Sequence, residues 1–470
     1  MIWIILGAGL LAVPLALDPV NVTVDPAISS KILLLRAVLG LWIGALGFAF
    51  ALGSSFYLRP MLTHPLALAC LFWFFAQLLS ALLSGKFLWI LHEAGHLILL
   101  PLLVWLTAGL RLSGPLPLGA VLGGATTGAT LCALYGLGVM FGIDPLRSIY
   151  PFVYATDDAR NFLHSFLGNP EYFGTYCAAM AAGGGATWLC GRGWIFRTTA
   201  AAFAALMLLC VILSGTRGAL LGLLVVMALL IAVQWPFWSA SLRRKVLQLS
   251  AILAVVGLVG VVILSTENPL NTRGMRLAQR FASLADPNSA SVKERILFYA
   301  ISAETLAQNP LWGSGPGTYA LEFYPRIQDL DERDTRGVLA RLLYDLRNRV
   351  AEQAHSDWLQ AWSQGGIIGG ATFTFLGAAL VITLLYSVRR QFTRNAPWTN
   401  QQAASVAAAA LATALYGISA FSFPLQMPAR SFLFWGAIAL VLAMEFRLPS
   451  PAAMPRVDSK APDQPFPPTV

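Results

Sequence analysis

Apolar runs of about 20 residues recur from one end of this sequence to the other, and few folds accept them. A run of that length crosses about 30 Å of hydrocarbon as a helix. Lipid offers the backbone no hydrogen-bond partners, so only helices or closed barrels span it, and runs this long are helical. About twelve spans are predicted, near residues 1–17, 32–54, 65–84, 88–109, 116–140, 169–190, 196–213, 218–239, 246–265, 357–387, 401–422 and 429–447. The chain is 57% hydrophobic and 11% charged, whereas soluble domains carry about 25% charged residues. The expected fold class is therefore an all-α polytopic membrane protein.

The net charge of +9 invites a nucleic-acid reading that its placement excludes. Arg59, Arg111, Arg192, Arg197, Arg243, Arg244, Lys245, Arg389, Arg390 and Arg394 fall in alternate short loops without Asp or Glu. Under the positive-inside rule those loops are cytoplasmic, as are both termini. The first span lacks a basic leader and a small-residue cleavage site, so it reads as a retained helix. Cys70, Cys132, Cys177, Cys190 and Cys210 all lie in apolar spans at no metal-ligand spacing, as small core residues do.

One polar stretch interrupts the pattern. It runs from about 266 to 356, faces outward under the same rule, and ends in Ala354-His355-Ser356-Asp357 where the tenth span begins. The predicted organisation is transmembrane helices 1–9 over 1–265, an outward helical insertion over 266–356, transmembrane helices 10–12 over 357–448, and a disordered cytoplasmic tail over 449–470. Within the insertion, Ile296, Leu297, Ala300 and Leu306 set a helical period over 291–308, which Asn309-Pro310 ends. Gly313-Ser314-Gly315-Pro316-Gly317 is expected to make a turn seating the insertion on the membrane domain, and a charged helix is predicted over about 318–350.

Arg295, the run Asn-Pro-Leu-Trp-Gly-Ser-Gly-Pro-Gly-Thr-Tyr over 309–319, and His355-Ser356 with Leu359-Gln360 before Gly366-Ile367-Ile368-Gly369 resemble the O-antigen ligase and polymerase superfamily. Ser214-Gly215-Thr216-Arg217-Gly218-Ala219 and Gly168-Asn169-Pro170-Glu171 fit the same pattern at outer helix starts. Each motif is short; their order and shared sidedness carry the likeness. The resemblance implies a GT-C-like architecture in the bacterial inner membrane, with the insertion periplasmic. It also implies transfer of a glycan from undecaprenyl diphosphate to a lipid A–core hydroxyl, with inversion at the anomeric carbon. A polymerase using a second lipid-linked repeat, or a protein O-oligosaccharyltransferase, belongs to the same superfamily; a single large outward insertion favours the ligase.

The residues fit that chemistry. A sugar hydroxyl is a poor nucleophile, and a general base gains about 10²–10⁴-fold. His355 suits that task at neutral pH. The leaving diphosphate needs cations, and Arg217 and Arg295 offer paired donors that stay charged. Arg217 sits between two apolar spans, where a charge is costly unless paired or functional. Arg147, Arg160 and Asn169 are candidates for lining the substrate, although Gly-Asn-Pro also simply caps a helix. Trp312 and Tyr319 can stack on a sugar or pack the insertion down; the sequence leaves both open. A cleft between insertion and spans is expected to admit both lipid substrates laterally. No cofactor is expected.

Other signals compete. His92-Glu93-Ala94-Gly95-His96 has the H-E-x-x-H spacing of zinc proteases, with both histidines on one helix face. Such a protease needs a third ligand, and the chain has no Asp-Gly. A polar pair bracing the outer cavity is the plainer expectation. Asp329-Leu330-Asp331 resembles a metal-binding Asp-x-Asp, yet Asp329 and Arg333, like Glu332 and Arg336, stand at i,i+4 as in a solvated helix. Metal dependence is not implied. A transporter explains many spans but usually shows internal two-fold symmetry, which is not visible here.

Overall fold

The computed structural model describes residues 1–17, 28–111, 116–140, 142–146, 163, 165–235, 290–333, 351–392 and 399–446, with the single positions 240, 243, 244, 247, 250, 251, 258 and 266. The described chain is helical, apart from one isolated backbone bridge between Phe56 and Leu110. The helices are α1 (Ile2–Leu15), α2 (Ser29–Ala51), α3 (Leu58–Thr63), α4 (Pro65–Leu83), α5 (Phe87–Gly109), α6 (Leu118–Met140), α7 (Pro170–Cys190), α8 (Trp194–Ser214) and α9 (Arg217–Gln234). After these come α10 (Ala290–Gln308), α11 (Tyr319–Arg333), α12 (Asp357–Phe392), α13 (Asn400–Ile418) and α14 (Pro428–Glu445).

Every predicted span but one coincides with a helix. The ninth, 246–265, lies almost wholly outside the described residues, as do the tail 449–470 and the segment 334–350. Among the described residues, α2, α4, α5, α6, α8, α12 and α14 are long and apolar enough to cross a bilayer. The protein is thus a polytopic helical membrane protein. Leu33, Leu41, Ile43 and Phe48 of α2 are exposed, as an apolar belt facing lipid requires.

Small residues bring the inner helices together. A Cβ on Gly124 of α6 would stand 2.0 Å from the carbonyl oxygen of Gly7 in α1. Glycine is the residue that lets those backbones touch, the usual device for packing helices in lipid. α7 and α13 are also rich in Gly and Ala and pack along each other. The last helix, α14, is the core of the bundle, with 94% of its span buried.

Helix ends are set locally. Asn169 caps α7, its side chain accepting from the Glu171 N–H at 2.8 Å, and Pro170 occupies the first helical position. Gly215, at φ 61°, ends α8 in the left-handed conformation that glycine adopts freely. Thr216 then opens α9, so Ser-Gly-Thr-Arg is a tight turn between two helices.

The insertion has its own small core of Leu297, Phe298, Ile301, Tyr319, Phe323, Ala351 and Ala354. It docks on a break in α12. Gly366 there has φ 64° and ψ −164°, and a Cβ on it would fall 2.4 Å from the Leu311 carbonyl carbon. The broken turn is repaired from outside: the Gly315 N–H and the Ser80 hydroxyl donate to the Gln364 carbonyl at 2.9 and 2.6 Å, and the Ile367 N–H donates to Pro310 at 2.8 Å. Such repair is what allows a helix to break at membrane depth. The glycine turn 313–317 therefore seats the insertion, as expected, and α12 is two helical pieces where one continuous span was predicted.

The charged helix of the insertion pairs differently from the expectation. Arg326 binds Glu322 and Asp329 at 2.9 and 2.7 Å, and Arg333 reaches across to Glu304 at 3.0 Å. The Asp329–Arg333 pair predicted from spacing is replaced because α10 offers Arg333 a carboxylate from a second element. Arg336 lies outside the described residues. Lys86 forms an ion pair with Glu322, tying α11 to the head of α5.

Candidate functional site

The site gathers at the insertion end of the bundle, where α7, α9, α10, α12 and the α13–α14 connection meet. His355 stands just before α12. It is one of the described non-glycine residues with positive φ, at 55°, a conformation that costs about 1–3 kcal/mol and is tolerated where surroundings enforce it. Here they do. The next residues are locked to the α13–α14 connection: the Asp357 N–H donates to the carbonyls of Ser419 and Ser422 at 2.9 and 3.1 Å, and Asp357 Oδ2 accepts from the Leu425 N–H at 2.9 Å.

Two rings hold the imidazole. Phe298 of α10 stacks on it at 5.1 Å with 27° between planes, and Phe423 meets it edge-on at 4.7 Å. Burial against these rings pushes the His355 imidazole below its ordinary pKa. Glu171 pulls it upward, Arg295 pushes it down further, and Glu294 pulls up more weakly. The balance favours a neutral ring at neutral pH, as a base requires.

Arg295 lies one helical turn before Phe298 on α10, half-buried, and its charge bears on His355. Arg217 is the first residue of α9 and is likewise half-buried. Its neighbours bring it to the same place. The Thr216 hydroxyl donates to the Pro170 carbonyl at 2.9 Å, and a Cβ on Gly218 would lie 3.2 Å from the Phe421 carbonyl oxygen. Gly218, the residue after Arg217, thus packs on Phe421, and His355 touches Phe423, two residues along the same connection.

Asn169 is exposed and caps α7, immediately before Glu171. Trp312 is exposed beside the α12 break. Tyr319, by contrast, is 1% exposed, and its hydroxyl donates to the Phe298 carbonyl at 2.9 Å. Of the two roles open to it, packing the insertion is the one it fills. Arg147 and Arg160 lie outside the described residues.

The H-E-x-x-H residues do not converge. His92 is 74% exposed and contacts Glu93 at 2.8 Å, while His96 is buried and neither of its ring nitrogens has a hydrogen-bond partner among the described residues. Of the polar pair expected to brace the outer cavity, only His92 has a side-chain hydrogen bond among the described residues, and it goes to the neighbouring Glu93. Among the described residues no three His, Cys, Asp or Glu side chains gather to hold a metal ion.

Sequence reasoning passed over Arg430. It is fully buried in the first turn of α14, its Nη1 donating to Thr175 Oγ1 at 2.5 Å and its guanidinium lying 4.5 Å over the Tyr172 ring. The signal was present: an arginine inside an apolar span is costly and asks for a reason. Ser422, whose hydroxyl donates to Glu171 Oε1 at 2.7 Å, carried no such signal.

No curated protein matches the chain. Residues 202–374, the stretch holding Arg217, Arg295 and His355, match the family model described as O-Antigen ligase, and this domain match supports a place for the chain in the O-antigen ligase superfamily.

Proposed function

We propose that this protein transfers a polysaccharide from undecaprenyl diphosphate to a hydroxyl of lipid A–core, inverting the anomeric carbon without a metal. His355 is the general base. Arg217 and Arg295 bind the diphosphate and stabilise the charge that grows on it as the glycosidic bond breaks. Asn169 and Trp312, with Arg147 and Arg160 of the same outer loop as Asn169, line the substrate. Tyr319 has no such part, since its ring is enclosed in the insertion core. The chain is read as a GT-C-like enzyme of the bacterial inner membrane with twelve spans, cytoplasmic termini, a periplasmic insertion over 266–356 and a cytoplasmic tail over 449–470.

One observation carries the reading. His355 is held in left-handed backbone between an insertion ring and a bundle ring, with the charge of Arg295 bearing on it. A base at that joint sees acceptor and donor only where insertion and bundle enclose them. That excludes water, which competes with the acceptor hydroxyl.

Purified protein given an undecaprenyl-diphosphate glycan, with and without lipid A–core, tests this. Product only with lipid A–core, unaffected by a chelator, supports the ligase. A ladder without that acceptor means a polymerase. Loss of product with chelator contradicts the metal-free mechanism.

A further inference from the structure

Against the connection whose Phe423 touches His355 stand a carboxylate and a buried guanidinium that the proposed mechanism leaves without a part. Glu171 is the second residue of α7, and its Oε1 accepts from the Ser422 hydroxyl at 2.7 Å. The carbonyl of the same serine accepts from the Asp357 N–H at 3.1 Å. One residue therefore joins Glu171 to the backbone two positions after the candidate base. The next residue, Phe423, meets His355 edge-on at 4.7 Å and Tyr172 at 5.8 Å.

Arg430 stands on the far side of those rings, its guanidinium 4.5 Å over Tyr172 and 5.9 Å from Phe423. It is fully buried, and its Nε and Nη2 have no hydrogen-bond partner among the described residues. A cation so enclosed is costly unless other charges oppose it. The carboxylates whose charge reaches it are Glu171 and Asp357. The charged groups acting on His355 are Glu171 from α7 and Arg295 and Glu294 from α10, and Asp357 stands two residues along the chain at the start of α12.

We propose that Glu171, held by Ser422 and backed by Arg430, is the positioning carboxylate of the His355 base. It fixes the His355 loop and stabilises the imidazolium that forms during transfer. The inference rests on the base role assigned to His355 above. In the step, the acceptor oxygen bonds to the anomeric carbon as the bond from that carbon to the diphosphate oxygen breaks. The diphosphate leaves as an anion, and the acceptor proton passes to His355. Glu171 orients and supports the imidazolium, and the proton remains on His355. Ser422 and Arg430 touch neither substrate nor reacting atoms.

The test is the pH profile of transfer by Glu171→Gln beside wild type, between about pH 5 and 8. The expected result is a kcat lower by on the order of tenfold or more, KM for the lipid-linked glycan little changed, and an acid limb moved to lower pH. A merely structural defect leaves the limb where it was. Glu171→Asp, which keeps the charge, is expected to restore the limb and part of kcat. An unmoved limb or undiminished kcat in Glu171→Gln overturns the proposal. Should Glu171→Gln fail to fold, Ser422→Ala carries the test, since it keeps every charge and removes one hydrogen bond: reduced kcat supports the proposal, and wild-type kcat overturns it. His355→Ala in the same assay separates the two readings. If that variant is active, the base assignment itself falls; if it is inactive while the Glu171→Gln limb stays put, only the positioning role falls.

Discussion

The ring of Phe298, from the insertion, stacks on the imidazole of His355 at 5.1 Å, and the carbonyl of Phe298 accepts from the Tyr319 hydroxyl at 2.9 Å. The core of the insertion and the seat of the candidate base are one construction. Phe298→Ala should cost about 3–5 kcal/mol, as for other buried phenylalanines, and should lower transfer together with thermal stability in detergent. Phe298→Leu should recover most of the stability and less of the activity, because it fills volume without supplying a ring. Equal recovery of both contradicts a role for the stack.

Arg295 and Glu171 act on His355 with opposite signs. Removing the cation in Arg295→Gln lets the imidazole hold its proton to higher pH, so the acid limb of transfer should move up. The wild-type limb should fall below about 6.5, the free imidazole value, because burial disfavours the charged ring. Transfer measured against pH for both proteins checks the two claims. A downward shift in Arg295→Gln contradicts the geometry.

Gly366 should not accept a side chain. Its φ of 64° strains any other residue, and a Cβ meets the Leu311 carbonyl carbon at 2.4 Å. Gly366→Ala is expected to cost more than about 1 kcal/mol and to loosen the 309–317 run from α12. Faster proteolysis of the insertion, with the rest of the bundle protected, is the readout.

Glu322 ties the insertion to Lys86. Burial alone would raise its carboxyl, but the hydrogen bonds and charges of Lys86 and Arg326 hold it below the ordinary carboxylate value. A depressed folded pKa contributes stability above the unfolded value, about 4.3, and that contribution is lost as pH falls through the folded value. Acid should therefore release the insertion before it disrupts the bundle. Glu322→Gln should show the same release at neutral pH by hydrogen exchange in α11.

The helices were legible because a bilayer fixes both length and composition, so the start of α7 at Pro170 and of α12 at Asp357 lay within a residue of the apolar pattern. The glycine turn at 313–317 was legible as a docking turn. Its partner was not: the break at Gly366 hides inside an apolar run and is visible only once Ser80, Pro310 and Gly315 are seen supplying the missing bonds. Sidedness suggested that Arg217, Arg295 and His355 share one end of the bundle, but not that Gly218, beside Arg217, and His355 itself pack on Phe421 and Phe423 of one short connection. Arg430 was not singled out because one arginine in an 18-residue helix barely disturbs an apolar average, although a buried guanidinium is the more telling observation. The partner of Arg333 depended on α10, which local spacing does not reveal.

The most direct measurement is transfer by His355→Ala, purified beside wild type and shown by thermal unfolding and gel filtration to be folded. A loss of about 10²–10⁴-fold in kcat is expected, with binding of the undecaprenyl-diphosphate glycan retained. Wild-type transfer by the folded variant would contradict it.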